Sequence, residues 1–117
     1  GIELDAAAVD AARIDAPEGF DVVTGRVEDR LADHLPADLL VVNPPRPGLG
    51  PDVTTAIVAA PAERLVYVSC DPGTLARDVA ALSPAYTVTD LTAFDLFPQT
   101  AHVETVAVLE RSAGEAP

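Results

Sequence analysis

Apolar positions in this chain fall into short runs, and segments with helical spacing or turn residues separate those runs. Runs rich in apolar and β-branched residues predict strands at residues 1–4, 20–25, 37–43, 64–70, 85–97 and 101–111. Segments that follow a capping acid predict helices from Asp5 to about Ala16 and from Asp52 to about Pro61. Residues 27–35 read as a short helical or loop segment, and Thr74 to Leu82 reads as a helix after the turn Asp71-Pro72-Gly73.

Strands that alternate with helices predict an α/β fold with a mostly parallel sheet. Residues 37–43 form a continuous apolar run, which is typical of a strand buried on both faces. Only Pro98, Gln99 and Thr100 separate the last two strands, and this is too short for a helical crossover. We therefore expect the last strand to pair antiparallel with its predecessor, and residues 112–117 to form a disordered polar tail.

The composition supports a folded core, since 49% of the 117 residues are hydrophobic and 22% are charged. The net charge of −12, from 19 acidic and 7 basic residues, argues against a nucleic-acid-binding surface on this chain. We see no apolar run of the roughly 20 residues that span a bilayer, and no secretory signal. A single cysteine cannot form an internal disulfide, so we expect a reducing, cytoplasmic setting.

Three polar side chains stand where predicted strands end, which is where open α/β sheets bind ligands. Glu3 could accept hydrogen bonds from the two hydroxyls of a ribose, or it could be a capping or solvated acid. Asn43 opens the loop NPPRPGLG and could line a pocket for a base or a methyl donor, or belong to a plain turn. Arg46 in that loop could bind a phosphate or carboxylate, or pair with one of the many acids.

Cys70 is the third of these residues and has the most reactive side chain. A thiolate is a good nucleophile toward an electron-poor carbon, and a helix N-terminus or an Arg such as Arg77 would stabilise it. The alternative is an inert buried thiol. Glu104 could act as a general base, and His102 would share its strand face, although an exposed acid is the common alternative. The sequence has no Cys/His cluster with metal-ligand spacing, so we predict no metal.

Four segments in order carry a family resemblance: GIELDAAAVDAAR, VVNPPRPGLG, VYVSCDPGTLARDVAAL and FDLFPQTAHVETVAVLER. Together they resemble the S-adenosylmethionine-dependent RNA 5-methyluridine methyltransferases, which act on tRNA or ribosomal RNA. The resemblance implies a Rossmann-like methyltransferase fold, with Cys70 and Glu104 as the catalytic pair. It also implies that Glu3 and Asn43 bind S-adenosyl-L-methionine, and that RNA is the partner. Arg46, Arg77 and His102 are further candidates for substrate binding.

The chain departs from the family pattern in two places. Many members have Asp where this chain has Asn43. The strand and glycine-rich loop that precede the first segment in the family, and the N-terminal RNA-binding region, have no counterpart here. We therefore expect residues 1–111 to be part of a catalytic domain, incomplete in its sheet and inactive alone.

Two other functions remain open at this stage. One is a methyltransferase that acts on a base amino group, where NPP loops also occur and no Cys and Glu pair is needed. The other is a non-catalytic α/β binding module. The sequence does not distinguish tRNA from ribosomal RNA and does not indicate an oligomeric state.

Overall fold

The computed structural model describes residues 1–96, 99 and 103–114, which form two compact units, Gly1–His34 and Leu35–Pro117. The first unit contains strands β1 (Ile2–Glu3) and β2 (Val23–Thr24), helices α1 (Ala6–Ile14) and α2 (Val27–Arg30), and a 3-10 turn (Leu31–His34). The second unit contains β3 (Leu39–Val42), α3 (Pro51–Ala59), β4 (Arg64–Ser69), α4 (Pro72–Leu82), β5 (Tyr86–Phe94) and β6 (Glu104–Arg111). No helix in the described part of the chain is both long and apolar enough to cross a membrane.

In the first unit, β1 and β2 pair in parallel, with Ile2 opposite Val23. Asp5 caps α1 as the sequence predicts, because its carboxylate accepts the Ala7 N–H at 2.9 Å. Val9 of α1 is buried, as is Val22 beside β2. This small unit therefore has its own apolar contacts and holds Glu3 at the end of β1.

In the second unit, four strands form one sheet in the order β3-β4-β6-β5. β3 pairs in parallel with β4, and β6 pairs antiparallel with both β4 and β5. Strands β3, β4 and β5 therefore run in one direction and β6 runs in the other. This confirms the predicted antiparallel last strand.

The core of the second unit lies between this sheet and helices α3 and α4. Alternate residues of β4 and β6 are buried, and so are the inward faces of both helices. The largest fully buried side chains here are Tyr67, Ile57, Leu65, Leu82, Leu109 and Val53. At about 1.5–3 kcal/mol per large side chain, this burial is the main force that holds the strand ends in place.

Two local predictions are wrong. β3 is not buried on both faces, since Leu39 is 54% exposed and Val41 is 59% exposed. The reason is the face of the sheet, because Leu39 and Val41 share a face with their register partners Arg64 and Val66, opposite to the face that packs against α3 and α4. Within the described residues β3 pairs only with β4 and forms an edge of the sheet. Helix α3 begins at Pro51 with Gly50 as its N-cap, so Asp52 lies inside the first turn and is not the cap. Residues 115–117 of the predicted tail lie outside the described residues.

Candidate active site

Cys70 is the single residue between Ser69, the last residue of β4, and Asp71, which precedes α4. Its thiol is free and half-buried. Asp71 is the N-cap of α4, and its carboxylate accepts the Thr74 N–H at 3.0 Å. Pro72 follows as the first helical residue, where its missing N–H has no cost. The sequence prediction that the thiol stands before a helix N-terminus is therefore confirmed.

Ser69 holds the turn that contains Cys70. Its hydroxyl oxygen accepts the Asp71 N–H at 3.1 Å and donates to the Asp71 carbonyl oxygen at 2.9 Å. The Ser69 side chain is buried, so these bonds form away from bulk water. The Ser69 side chain on one side of Cys70 is thus tied to the backbone on the other, so two hydrogen bonds close the turn that carries the thiol. Sequence reasoning assigned no role to Ser69.

Glu104 is the first residue of β6 and pairs with Phe94 of β5. On the other side of β6, the last pair with β4 joins Ser69 to Thr105. Cys70 follows Ser69 and Glu104 precedes Thr105. Both residues therefore lie at the same edge of the sheet, the one formed by the carboxyl end of β4 and the amino end of β6. Glu104 is half-buried and lies on the half-exposed face of β6, opposite to buried Thr105.

The loop that begins at Asn43 lies at this same edge, because Val42 at the end of β3 pairs with Tyr67 of β4. Asn43 and Arg46 are both exposed. The carbonyl oxygen of Arg46 accepts a hydrogen bond from Thr74 Oγ1 at 2.9 Å. The pKa of Asp71 is lowered chiefly by the Thr74 N–H, and the positive charge of Arg46 acts in the same direction. The loop therefore lies beside the turn that carries the thiol.

Arg77 and Asp78 on α4 also contact this loop. The Arg77 guanidinium donates to the Pro47 carbonyl oxygen and lies 3.5 Å from Asp78 Oδ1. Asp78 is 2% exposed, and its Oδ2 accepts the Leu49 N–H at 2.9 Å and the Tyr67 hydroxyl at 2.6 Å. Sequence reasoning considered Arg77 for substrate binding and missed Asp78.

Glu3 and His102 complete the set of predicted residues. Glu3 belongs to the first unit, where its carboxylate is exposed and Oε1 accepts the Asp5 N–H at 3.0 Å. His102 lies outside the described residues. A groove of about 370 Å³ between α3 and α4 is lined by Thr54, Thr55, Val58, Ala59 and Ala81, so it contains none of the predicted site residues. Among the described residues, no three His, Cys, Asp or Glu side chains cluster in a way that could hold a metal.

RNA methyltransferases match most of this chain in sequence. The family profile described as tRNA (uracil-5-)-methyltransferase matches residues 12–112. An uncharacterized RNA methyltransferase of Gloeobacter violaceus is 50% identical over 102 residues, which cover 86% of this chain and 22% of that protein.

Solved structures of methyltransferases share the fold of this chain. The tRNA (uracil-54, C5)-methyltransferase of Pyrococcus abyssi, in complex with S-adenosyl-L-homocysteine, matches with a TM-score of 0.76 and 32% identity. The match covers 93% of this chain and 28% of that one. A putative DNA modification methyltransferase from an Escherichia coli prophage has a TM-score of 0.64 at 13% identity, which is a likeness of fold alone.

The chain thus spans about a quarter of the length of these relatives, 22% of the first and 28% of the archaeal structure. The predicted Rossmann-like methyltransferase fold is confirmed by the archaeal structure. The family profile covers most of the chain, including Cys70, Glu104 and the loop that follows β3. The chain therefore belongs to the tRNA (uracil-5-)-methyltransferase family.

Proposed function

We propose that this chain supplies the catalytic residues of an S-adenosylmethionine-dependent RNA methyltransferase that forms 5-methyluridine in tRNA or ribosomal RNA. The observation that carries the proposal is the common position of Cys70 and Glu104, which flank the Ser69 and Thr105 pair at one edge of the sheet. A nucleophile and a base at one edge suit a reaction that needs both. Membership of the family supports the same assignment.

The chemistry explains why both groups are required. Carbon 5 of uracil is too weak a nucleophile to take a methyl group directly. The Cys70 thiolate forms a bond to carbon 6, and the displaced electron pair makes carbon 5 nucleophilic as part of an enolate. After carbon 5 has gained the methyl group, Glu104 removes its proton. The electron pair of that bond restores the double bond between carbons 5 and 6, and the thiolate leaves.

Glu3 and Asn43 are the residues that would hold the methyl donor. S-adenosyl-L-methionine supplies an electrophilic methyl group when it is bound. The Glu3 carboxylate is exposed and accepts one N–H, from Asp5, through Oε1. A carboxylate has about four lone-pair sites, so it keeps the capacity to accept two ribose hydroxyls. Asn43 is exposed at the end of β3, where its amide can both donate and accept.

The RNA is the second partner of the proposed reaction. Its target uridine has to leave the base stack to reach the thiol. Arg46 and Arg77 offer positive charge near this edge, and His102 is kept as a further candidate for RNA binding. The net charge of −12 means that most phosphate contacts would be made by surfaces outside this chain. We place the reaction in the cytoplasm, because Cys70 has to stay a free thiol.

We also propose that residues 1–111 are part of a larger catalytic domain and that this chain alone is inactive. The edge position of β3 supports this, because in the described part of the chain β3 pairs on one side only and a further parallel strand could pair on the other. The test is methyl transfer by the 117-residue chain beside the full-length protein that carries it. Comparable turnover by the short chain would contradict this part of the proposal.

The decisive experiment on the reaction uses the full-length protein, RNA that contains 5-fluorouridine, and the methyl donor. Fluorine cannot leave as a proton, so Glu104 cannot complete the reaction and the adduct on Cys70 should persist. A mass shift equal to protein plus methylated RNA, absent in Cys70→Ala, is the expected result. Methyl transfer without any adduct would favour the base amino-group methyltransferase instead. No methyl transfer at all would favour the non-catalytic binding module.

A further inference from the structure

Asp78 is a buried charged side chain that the proposed reaction does not use. It lies on α4, it is 2% exposed, and its carboxylate has three partners. Oδ2 accepts from Leu49 N–H and from the Tyr67 hydroxyl, and Oδ1 lies 3.5 Å from Arg77 Nη2. A carboxylate this deeply buried is costly unless its oxygens are hydrogen-bonded. The arrangement therefore depends on keeping these partners together.

The first partner of Asp78, the Leu49 N–H, belongs to residues 44–50, which we call the proline loop. Three side chains within about one turn of α4 bind its backbone. Thr74 Oγ1 donates to the Arg46 carbonyl oxygen, Arg77 donates to the Pro47 carbonyl oxygen, and Asp78 accepts from Leu49. Because residues at i, i+3 and i+4 share one face of a helix, α4 presents a row of groups to the loop.

The proline loop has few backbone N–H groups of its own. Proline has no backbone N–H, and prolines occupy positions 44, 45 and 47. One backbone bond within the loop joins Gly48 N–H to the Pro45 carbonyl oxygen at 2.8 Å. Gly48 has φ of +87°, and a methyl group built on it would collide with Asp78 Oδ2 and would lie 2.5 Å from Thr74 Cγ2 and 2.7 Å from Arg77 Nη2. The loop therefore packs against α4 with no space for a side chain at position 48.

The second partner of Asp78 is on the strand that leads to the thiol. Tyr67 lies three residues before Cys70 and pairs with Val42, the residue before Asn43. One carboxylate oxygen thus joins the proline loop to β4, which leads to Cys70 and pairs with β3, the strand that leads to Asn43. We propose that Asp78 is a positioning residue, which holds the proline loop in register with the nucleophile for the reaction. This inference rests on the proposed function for its catalytic consequence, but its structural part does not.

The test compares variants of the full-length protein. Asp78→Ala removes the acceptor, whereas Asp78→Asn keeps one oxygen that can accept from both Leu49 and Tyr67. Gly48→Ala keeps the Asp78 carboxylate but should push the loop away from α4, because the added methyl group would collide with Asp78 Oδ2 and with Thr74 and Arg77. Gly50→Ala is its matched control, because Gly50 also has positive φ, +81°, but a methyl group there meets nothing within 4 Å. Leu82→Ala on the same helix controls for loss of stability, since Leu82 is fully buried and belongs to the core.

Two readouts are measured on each variant. The first is hydrogen–deuterium exchange of residues 44–50, which needs no activity. The second is the separate effect on kcat and on KM for the methyl donor. We expect Asp78→Ala and Gly48→Ala to lose protection in the loop and to lose on the order of 100-fold in kcat/KM, as displaced catalytic groups do. Asp78→Asn should recover most of both losses, and the two alanine changes combined should be far from additive.

Leu82→Ala should lower the melting temperature without selective loss of protection in the proline loop and without raising the KM for the donor. The inference is overturned if Asp78→Ala leaves the loop as protected as in the wild type. It is also overturned if Leu82→Ala lowers the melting temperature by the same amount as Asp78→Ala and shows the same kinetics. It is also overturned if Asn at position 78 restores nothing. If Asp78→Ala does not fold, the comparison of Asp78→Asn, Gly48→Ala and Gly50→Ala tests the inference. A wild type that does not methylate RNA would contradict the proposed function, while the exchange data would still test the contact.

Discussion

Ser69 of β4 and Thr105 of β6 are register partners, and they form the last antiparallel pair before the two strands separate. The residues next to this pair are Cys70 on one strand and Glu104 on the other. Thirty-three residues of chain lie between Cys70 and Glu104, so only the sheet register brings these two side chains to the same edge. A shift of one residue in that register would turn Glu104 to the opposite face.

The first prediction concerns Glu104→Gln in the full-length protein with natural uridine RNA. Glutamine is close in shape to glutamate but cannot take the carbon 5 proton, so turnover should fall by about 10²–10⁴-fold. The thiol should still add to carbon 6, and a methylated adduct on Cys70 should accumulate. Mass spectrometry of the protein–RNA complex measures this directly.

Glu110→Gln is the matched control, because Glu110 lies on the same strand and pairs with Arg64 at the far end. That change should leave both turnover and adduct at the wild-type level. Loss of turnover in Glu104→Gln without an adduct would mean that Glu104 acts before the thiol adds, and not as the base.

Much of this edge could be predicted from local sequence. The turn predicted at Asp71-Pro72-Gly73 after an apolar run placed Cys70 correctly before a helix N-terminus, although the helix begins at Pro72 and not at Thr74. Asp78 could not be found in the same way, since its partners Leu49 and Tyr67 lie 29 and 11 residues away. The apolar composition of β3 suggested burial on both faces, but exposure depends on what packs against each face of the sheet, and a single run of residues does not carry that information.

The second prediction concerns acid stability and Asp71. The Thr74 N–H, followed by the Gly73 N–H and the charge of Arg46, lowers the pKa of Asp71 in the folded chain. A lowered pKa adds stability that is fully present above the unfolded value of about 4 and is lost as the pH falls through the folded pKa. Asp71→Asn should therefore unfold with a weaker dependence on pH below about pH 4.

Thermal unfolding over that pH range measures the difference. Asp52→Asn is the control, since Asp52 lies in the first turn of α3 but is not its cap. If Asp71→Asn keeps the same acid dependence as the wild type, the cap does not contribute in the way the contacts suggest.

The third prediction concerns alkaline stability and Tyr67. Burial, and then the hydrogen bond and charge of Asp78, raise the pKa of Tyr67 well above its ordinary value. In the unfolded chain the phenol ionises near pH 10, whereas in the folded chain it stays protonated. The stability that this provides is fully present below about pH 10 and is lost as the pH rises above it, by up to about 1.4 kcal/mol per pH unit.

Tyr67→Phe should weaken this alkaline loss and should cost about 1.5–3 kcal/mol near neutral pH, because a bond to a charged acceptor is removed. The sequence has two tyrosines and no lysine, so few other groups titrate between pH 10 and 11.5. Tyr86→Phe is the comparison, since burial also raises the pKa of Tyr86 but its hydroxyl bonds to the Ala62 carbonyl oxygen. Urea unfolding at pH 7 and at pH 11 gives both quantities, and an unchanged alkaline slope in Tyr67→Phe would contradict the assignment.

The fourth prediction concerns Ser69→Ala, which removes the side chain that closes the turn around Cys70. Two hydrogen bonds to Asp71 are lost, and the Asp71 N–H no longer has a partner in the Ser69 hydroxyl. At about 1 kcal/mol for each bond, the free energy of unfolding should fall by about 1–3 kcal/mol. The larger effect should be on chemistry, because the thiol can then leave its position relative to Glu104.

Ser83→Ala provides the comparison. The Ser83 hydroxyl donates to one backbone group, the Ala80 carbonyl oxygen, and it is exposed at the end of α4. We expect Ser83→Ala to change stability by less than about 0.5 kcal/mol and to leave the rate of adduct formation with 5-fluorouridine RNA unaltered. Ser69→Ala should form the adduct more slowly even at a temperature where it is fully folded. Equal adduct rates for the two variants would mean that the turn around Cys70 is set by the helix cap at Asp71 alone, and that the Ser69 hydroxyl serves only the stability of the fold.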